Sequence, residues 1–530
     1  MSSPPEPHVL AVDLGTSGPK VALISASGRI TAATFEANEV LYLPGGGAEQ
    51  RPEEWWRSIA RGVRRALRES GLPGSAIEAV NCTGQWSGTV ALGGDGEPLC
   101  NAIIWMDTRG ARHVAELTGG ILNIAGYSPG ALLAWLPRTG GIPSRSGKDS
   151  LAHILFLKNE RPEIFEATRC FLEPKDWLNF KLTGRMVSTY DAIALHWLSD
   201  NRSIDAVDYH PRLLARAGIE RHKLPDLIGA TDIVGPLSAE AAGELGVPAG
   251  IPVVAGAPDT HSAAVGSGAV RDNEVHLYVG TSSWMLAHVP RMRSDPLHNQ
   301  AALPAALPGR YLLLNEQECA GACLSFLRDR LLLVDDELTP GANRDGAYAA
   351  FDRLAAGVPA GSGGVIFTPW LYGERTPVED HHVRGGFFNL SLETDRAQMI
   401  RAVLEGVAYN TRWLFDGVES FLGRRVPHIN FIGGGACSDL WCQIMADVLG
   451  CRVRRVADPI HANLRGAAFL AQIALGRLDA ADIPARVEIE REFVFEPRNR
   501  HVYEQMFKAF KTLYKNNRRL YANLNAWGVE

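Results

Sequence analysis

No uninterrupted apolar stretch in this 530-residue chain approaches the 18 or so residues that a membrane-crossing helix needs. Positive charge is not in excess either. The 53 Lys and Arg stand against 59 Asp and Glu, a net charge of −6, so no basic face recommends nucleic acid or an anionic membrane. The start, Met1–Pro7, carries neither a basic segment nor an apolar one of the secretory kind, and a cytoplasmic location is the expectation. Cysteine is sparse. The eight that occur form no CxxC pair and are scattered among apolar neighbours, which favours reduced, partly buried thiols over a zinc site or a disulfide framework. The adjacent His381 and His382 lack the companions that a metal site requires, so a solvated surface role is expected. A P-loop is also missing. The Gly- and Ser-rich segment 137–150 spaces Gly141 and Gly147 one residue too far apart, sets Asp149 where Ser or Thr must bind magnesium, and follows no strand. What remains is an ordinary soluble-enzyme composition, 46% hydrophobic and 21% charged, in a chain too long for one core.

One motif occurs twice, about 265 residues apart: Val12-Asp13-Leu14-Gly15-Thr16-Ser17-Gly18-Pro19-Lys20-Val21, and Leu277-Tyr278-Val279-Gly280-Thr281-Ser282-Ser283-Trp284-Met285. Each copy has an apolar run, then Gly-Thr-Ser, then a second apolar run, the pattern of two strands joined by a tight turn. Glycine lets the backbone approach a ligand, and Thr and Ser add hydroxyl donors to exposed amides, so such turns suit phosphate. Two copies suggest two related lobes gripping one polyphosphate from opposite sides. Only the first copy carries an acid, Asp13, and a base, Lys20, an asymmetry that suggests a nucleotide with a metal ion on one side.

The rest of the chain divides around that repeat. A helix is predicted from Pro52 through Arg68, with Trp55, Ile59, Val63 and Leu67 at helical spacing. Strand-like Ile77–Asn81 and Thr89–Leu92 flank Gly84-Gln85-Trp86-Ser87-Gly88, and Ala102–Trp105 runs into Asp107 and Arg109. A short strand, Pro252–Ala255, leads into Gly256-Ala257-Pro258-Asp259-Thr260-His261. The lobe boundary is expected just beyond it, giving lobes 8–268 and 269–530. The second lobe should hold the loop Tyr372–Pro377, a long amphipathic helix around Arg396–Phe421, the strand-to-turn Ile429–Ala436, and a docked C-terminal helix over His501–Leu524.

Taken together, the blocks Asp13–Lys20, Gly84–Gly88, Trp105–Arg109, Pro174-Lys175-Asp176, Gly256–Asp259, Gly280–Ser282, Tyr372–Pro377 and Gly433–Ala436 resemble the FGGY family of carbohydrate kinases, xylulokinases most closely. They fall in the family's order and cover nearly the whole chain. The resemblance implies an α/β fold of two ribonuclease-H-like lobes, as in actin and heat-shock ATPases, with the active site in the cleft between them. It also implies ATP and Mg²⁺ as cofactors and a small sugar as substrate, with no nucleic acid or membrane partner; a homodimer is left open.

Site roles follow from that resemblance. Asp259 matches the catalytic base; an Asx-turn or helix-cap role is the alternative for an Asp after Ala-Pro. Asp13 matches the Mg²⁺ carboxylate, or else caps its turn. Thr16 and Ser17, after Gly15, should lie on the γ-phosphate side, and Gly280, Thr281 and Ser282 on the β-phosphate side; Lys20 either reaches phosphate or is a solvated strand residue. Gly433-Gly434-Gly435-Ala436 matches the adenosine motif, a bare strand-to-helix turn being the alternative. Arg465 either touches the nucleotide or points into solvent. Trp86, Ser87, Trp105, Asp107 and Thr260 match the sugar pocket, with Trp105 equally readable as core and His261 as a packed histidine. Here the chain departs from the xylulokinase pattern, in which Met-His stands where Trp86-Ser87 does. The implied activity is transfer of the γ-phosphate of ATP to a terminal hydroxyl of a ketopentose, with ribulose and other sugars or polyols as alternatives. A rival of another class is an actin- or chaperone-like nucleotide switch.

Overall fold

The first repeat folds as the hairpin β1 (His8–Gly15) and β2 (Gly18–Ser25), paired from His8↔Ser25 to Gly15↔Gly18. The structure is a computed structural model and describes residues 6–124 and 126–525. β3 (Ile30–Phe35), β4 (Ile77–Gly84), β5 (Ile233–Pro236) and β6 (Pro252–Val254) complete a sheet in the order β5-β6-β4-β1-β2-β3. β4 runs parallel to β1 and β6 parallel to β4, while β5 closes the edge antiparallel.

The second repeat folds as β7 (Val275–Val279) and β8 (Ser283–Val289). With β9 (Arg293–Asp295), β10 (Gln300–Pro304), β11 (Tyr311–Leu314), β12 (His428–Ile432), β13 (Arg452–Val456) and β14 (Ile489–Phe493) it forms a sheet ordered β9-β10-β11-β8-β7-β12-β13-β14. Moving outward from the first hairpin strand, β1-β4-β6-β5 and β7-β12-β13-β14 are the same arrangement: three parallel strands and an antiparallel edge. The Gly-Thr-Ser repeat is thus the part visible in sequence of a duplicated lobe.

Helices cover both sheets. α1 (Pro52–Ser70) starts on Pro52 with Glu53 and Glu54 in its first turn, ends on the left-handed Gly71, and buries Trp55, Ile59 and Val63. α2 (Asp259–Gly266) follows β6, and α3 (Arg396–Leu422) begins at a capping box between Asp395 and Gln398. α4 (Ala462–Ala474) lays Leu464, Ala467, Ala468 and Ala471 on Val9, Ala11, Ala22 and Ile24 of the first sheet, so a helix from the second half of the chain closes the first lobe. α5 (Pro497–Asn525) docks Tyr503, Phe507 and Phe510 into the second core, with Phe510 against Trp370 and Tyr409.

α2 and α4 cross through two glycines. A β-carbon at Gly466 would lie 1.8 Å from the Ser262 carbonyl oxygen, and one at Gly266 would lie 1.8 Å from that of Ala462. Both obstacles are backbone, which cannot rotate away. Gly466→Ala should therefore force the helices apart despite alanine's better helix propensity, at a cost of about 3 kcal/mol, read as a fall in thermal unfolding temperature. An unchanged unfolding temperature would show that the crossing tolerates a methyl.

Candidate active site

Both hairpin turns and the end of β6 converge. The register runs Leu14↔Gly84 from β1 to β4, and Gly84 then bridges to Pro258. Asp259 therefore stands two strand spacings, about 10 Å of backbone, from the first turn. Asp13 is buried near the end of β1. Its Oδ2 lies 3.4 Å from Asn463 Nδ2 and 3.6 Å from the ammonium of its cross-strand partner Lys20. Its Oδ1 is buried with no hydrogen-bond partner among the described residues.

The first turn is held from below. Thr16 Oγ1 accepts from Trp105 Nε1 at 2.8 Å and donates to Gln85 Oε1 at 3.3 Å, and the Thr16 carbonyl accepts from Gln50 Nε2 at 2.8 Å. Gln50 also receives Gln85 Nε2 and Trp55 Nε1 on its own oxygen. Ser17 stays exposed at the tip and Gly15 is half-buried. Gly18, at φ +140°, leaves no room for a side chain beneath the Glu36 carbonyl. Trp105 is thus not core: it is half-buried, and its indole N–H fixes the turn.

Asp259 opens α2 after a stretch gripped from the side. The Ala255 carbonyl accepts from Asn179 Nδ2 at 2.7 Å and Lys175 Nζ at 3.4 Å, which anchors the Gly256–Pro258 approach. Among the described residues, the Asp259 carboxylate receives only the Thr260 N–H, at 2.7 Å. Burial, and next the like charge of Asp13, push its pKa up to about 8. Thr260 Oγ1 lies 3.1 Å from His261 Nδ1, and His261 Nε2 lies 3.1 Å from the Pro304 carbonyl. A carbonyl only accepts, so Nε2 carries the ring proton and Thr260 donates to Nδ1. Burial pushes the His261 pKa down to about 3, so the ring is neutral. It is a packed histidine, meeting Trp86 edge to face at 5.0 Å.

The sugar-pocket candidates are held in place by their own bonds. Trp86 Nε1 donates to the Ala192 carbonyl at 2.7 Å. Ser87, at φ +62°, donates to the Lys148 carbonyl at 2.7 Å, and the next amide, Gly88, donates to Glu173 at 3.0 Å. Asp107 is buried, and its carboxylate accepts from the Ala48 and Arg109 amides and from the Arg109 guanidinium, which also holds Glu49. Asp107 therefore braces the wall behind Trp105, with its charge already paired.

The second turn rests on the helix Gly321–Phe326, where Gly321 N–H donates to the Gly280 carbonyl and those of Ala320 and Ala322 to that of Thr281. Thr281 is exposed and Ser282 half-buried. Beside it, Gly433 has φ +87°, and a β-carbon there would meet the Val279 carbonyl at 2.5 Å. Gly434 faces open space, while Gly435 and Ala436 are buried against the end of β7. Arg465 does not point into solvent: it is buried and donates to the carbonyls of Ala457 and Gly266.

One cluster escaped the sequence reading. Lys148, from the segment rejected as a P-loop, is buried 3.2 Å from Glu318 of the second lobe, with the Trp105 ring 5.8 Å and the Tyr372 ring 4.9 Å from its ammonium. Arg375 joins Glu318 at 3.1 Å and also pairs with Glu316. The neighbouring Glu374 is buried and receives Asn410, and burial pushes its pKa up to about 8. Among the described residues all eight cysteines are free, and only Cys437 is exposed. His381 and His382 are exposed on their loop, as expected.

Two family models match, one after the other. Residues 8–266 match the N-terminal domain, and residues 275–475 the C-terminal domain, of the FGGY family of carbohydrate kinases. The chain belongs to that family. It is an ATP-dependent sugar kinase with the two-lobed actin- and hexokinase-like fold, which removes the nucleotide-switch alternative. Relatives of this kinase include a xylulose kinase of Staphylococcus epidermidis, 27% identical over 97% of this chain and 98% of the relative. An autoinducer-2 kinase of Klebsiella pneumoniae is 27% identical over 96% and 93%. The solved xylulose kinase of Rhodospirillum rubrum superposes with a TM-score of 0.81 at 26% identity, covering 97% of this kinase and 99% of that chain. No helix among the described residues is long and apolar enough to cross a membrane.

Proposed function

We propose that this kinase transfers the γ-phosphate of ATP to a terminal hydroxyl of a ketopentose or a closely related sugar or polyol, with Asp259 as general base. The observation that carries the reading is the Asp259 carboxylate. It sits at the head of α2 with one local hydrogen bond and is raised toward neutrality beside Asp13. A base so placed takes the acceptor's proton as the oxygen attacks the γ-phosphorus, while the bond to the β-phosphate breaks and ADP leaves. Gly15, Thr16, Ser17 and Lys20 would face the γ-phosphate, Gly280, Thr281 and Ser282 the β-phosphate, and Gly433–Ala436 the adenosine. Trp86, Ser87, Trp105 and Thr260 would line the acceptor pocket, braced by Asp107. Xylulose-like acceptors fit the likeness to xylulose kinases. The Trp86-Ser87 pair, and a relative acting on autoinducer-2, favour an acceptor that differs from xylulose in detail.

Mg²⁺ suits the carboxylate at position 13. The unpartnered, buried Oδ1 of Asp13 is a hard oxygen donor in want of a cation. No group of three or more His, Cys, Asp or Glu gathers among the described residues, so Asp13 would hold the ion as its one protein carboxylate. When bound, Mg²⁺ neutralises charge on the β- and γ-phosphates. Asp13→Ala should raise the Mg²⁺ concentration needed for half-maximal activity at least tenfold, with acceptor KM little changed. Wild-type magnesium dependence would remove Asp13 as the ligand.

The test of the function is ATP turnover across a panel of ketoses, aldonates and polyols, with the phosphorylated position found by NMR. Strong stimulation by a ketopentose, phosphorylated at a terminal carbon, supports the reading. Stimulation by aldonates alone, or phosphate found on an internal carbon, would overturn it.

A further inference from the structure

The two Gly-Thr-Ser turns differ at the residue two places before the glycine: Asp13 in the first, Tyr278 in the second. Where one lobe presents a carboxylate, the other presents a phenol. Tyr278 pairs in register with Trp284 across the β7–β8 hairpin, and the two rings stack at 3.9 Å and 6°. On the other side it pairs with Ile432, the residue before the triple glycine. A β-carbon at Gly280 would come within 2.3 Å of the Tyr278 hydroxyl, and one at Gly433 within 3.1 Å of the ring's Cδ2. The ring therefore spans from the triple glycine to the second turn, with its hydroxyl end at the turn. Among the described residues that hydroxyl makes no hydrogen bond to protein, and the side chain is half-buried rather than sealed in the core. Burial, then the negative charges of Asp259 and Asp13, hold the phenol well above its ordinary ionisation range, so it stays a neutral O–H donor.

We propose that Tyr278 is a further catalytic residue, its hydroxyl donating a hydrogen bond to the oxygen that bridges the β- and γ-phosphates of the nucleotide. Negative charge grows on that oxygen as the γ-phosphoryl group leaves, and a preorganised donor there stabilises the transition state more than the ground state. The proton remains on tyrosine throughout. The stack on Trp284 fixes the phenol's direction before nucleotide arrives, and the glycines at 280 and 433 leave the ring its space. The assignment rests on the reading of Gly280–Ser282 as a phosphate turn.

Tyr278→Phe keeps the stack and deletes only the hydroxyl. The expected result is a kcat about 100-fold lower, with ATP affinity, acceptor KM and unfolding temperature all near wild type. A kcat within threefold of wild type would overturn the proposal and leave Tyr278 a packing residue. Ser282→Ala, assayed for ATP binding by calorimetry, separates the two layers. Weakened ATP binding in that variant together with a fully active Tyr278→Phe sinks only the tyrosine. Unchanged ATP binding sinks the phosphate-turn reading and the proposal with it.

Discussion

Asp259→Asn is expected to bind ATP and acceptor normally and to lose roughly 10²- to 10⁴-fold in kcat, because an amide oxygen cannot take up the hydroxyl proton. The substitution is nearly isosteric, and the remaining oxygen still accepts the Thr260 N–H that turns the chain into α2. The same variant should also be more stable. A carboxyl whose pKa in the folded protein is about 8 costs stability at every pH above its unfolded value near 4, because the unfolded chain releases the proton more readily. That cost is absent below pH 4 and complete above pH 8. The neutral amide that replaces the carboxylate escapes both the burial of charge and the repulsion from Asp13. The variant's unfolding temperature should therefore exceed wild type by roughly 2–4 °C at pH 8 and equal it near pH 4. Slow turnover together with higher stability is the signature of a group strained for chemistry. Wild-type kcat in the variant would remove Asp259 from the mechanism.

How much of this was legible in the chain depends on the range of the interactions. Both hairpins were readable because strand periodicity and turn chemistry are local, and α3 and α5 because a stripe of apolar residues recurs every turn. The duplicated sheet was only half visible: the two turns announced it, but the placement of α4 on the first sheet joins residues 450 positions apart and leaves no local trace. Within the site, residue types were easier to find than their duties. Asp107 and His261 carry chemistry that suits a sugar contact, yet Arg109 consumes the one and the Pro304 carbonyl and Trp86 the other. The burial of Arg465 was not legible because its partners are main-chain carbonyls, which no side-chain motif records. Lys148 and Glu318 were missed for the same reason: their partnership spans 170 residues and has no spacing rule.

That last pair supports the second large prediction, because it joins the lobes. Lys148 leaves the first-lobe loop whose carbonyl anchors Ser87, and its ammonium is buried against Glu318, between the Trp105 and Tyr372 rings. Burial and then Arg375 draw the Lys148 pKa below its ordinary value; Glu318, although burial opposes it, is held below the usual carboxylate range by Arg375 and Lys148. The two partners are not equivalent. Lys148→Met leaves Glu318 still paired with Arg375, whereas Glu318→Gln strands a buried lysine next to that arginine. Removing one partner of a buried pair costs about 3–5 kcal/mol, while replacing both can cost far less. Glu318→Gln should therefore be the more damaging single change, in unfolding temperature and in acceptor KM, with a rise in KM of tenfold or more as the Ser87 wall loosens. The double variant Lys148→Met, Glu318→Gln should recover much of the lost stability, since it leaves no stranded cation. Thermal unfolding and acceptor KM across the four proteins of this cycle measure the coupling directly. Strictly additive losses would show that the ammonium and carboxylate stand near each other without acting as a pair.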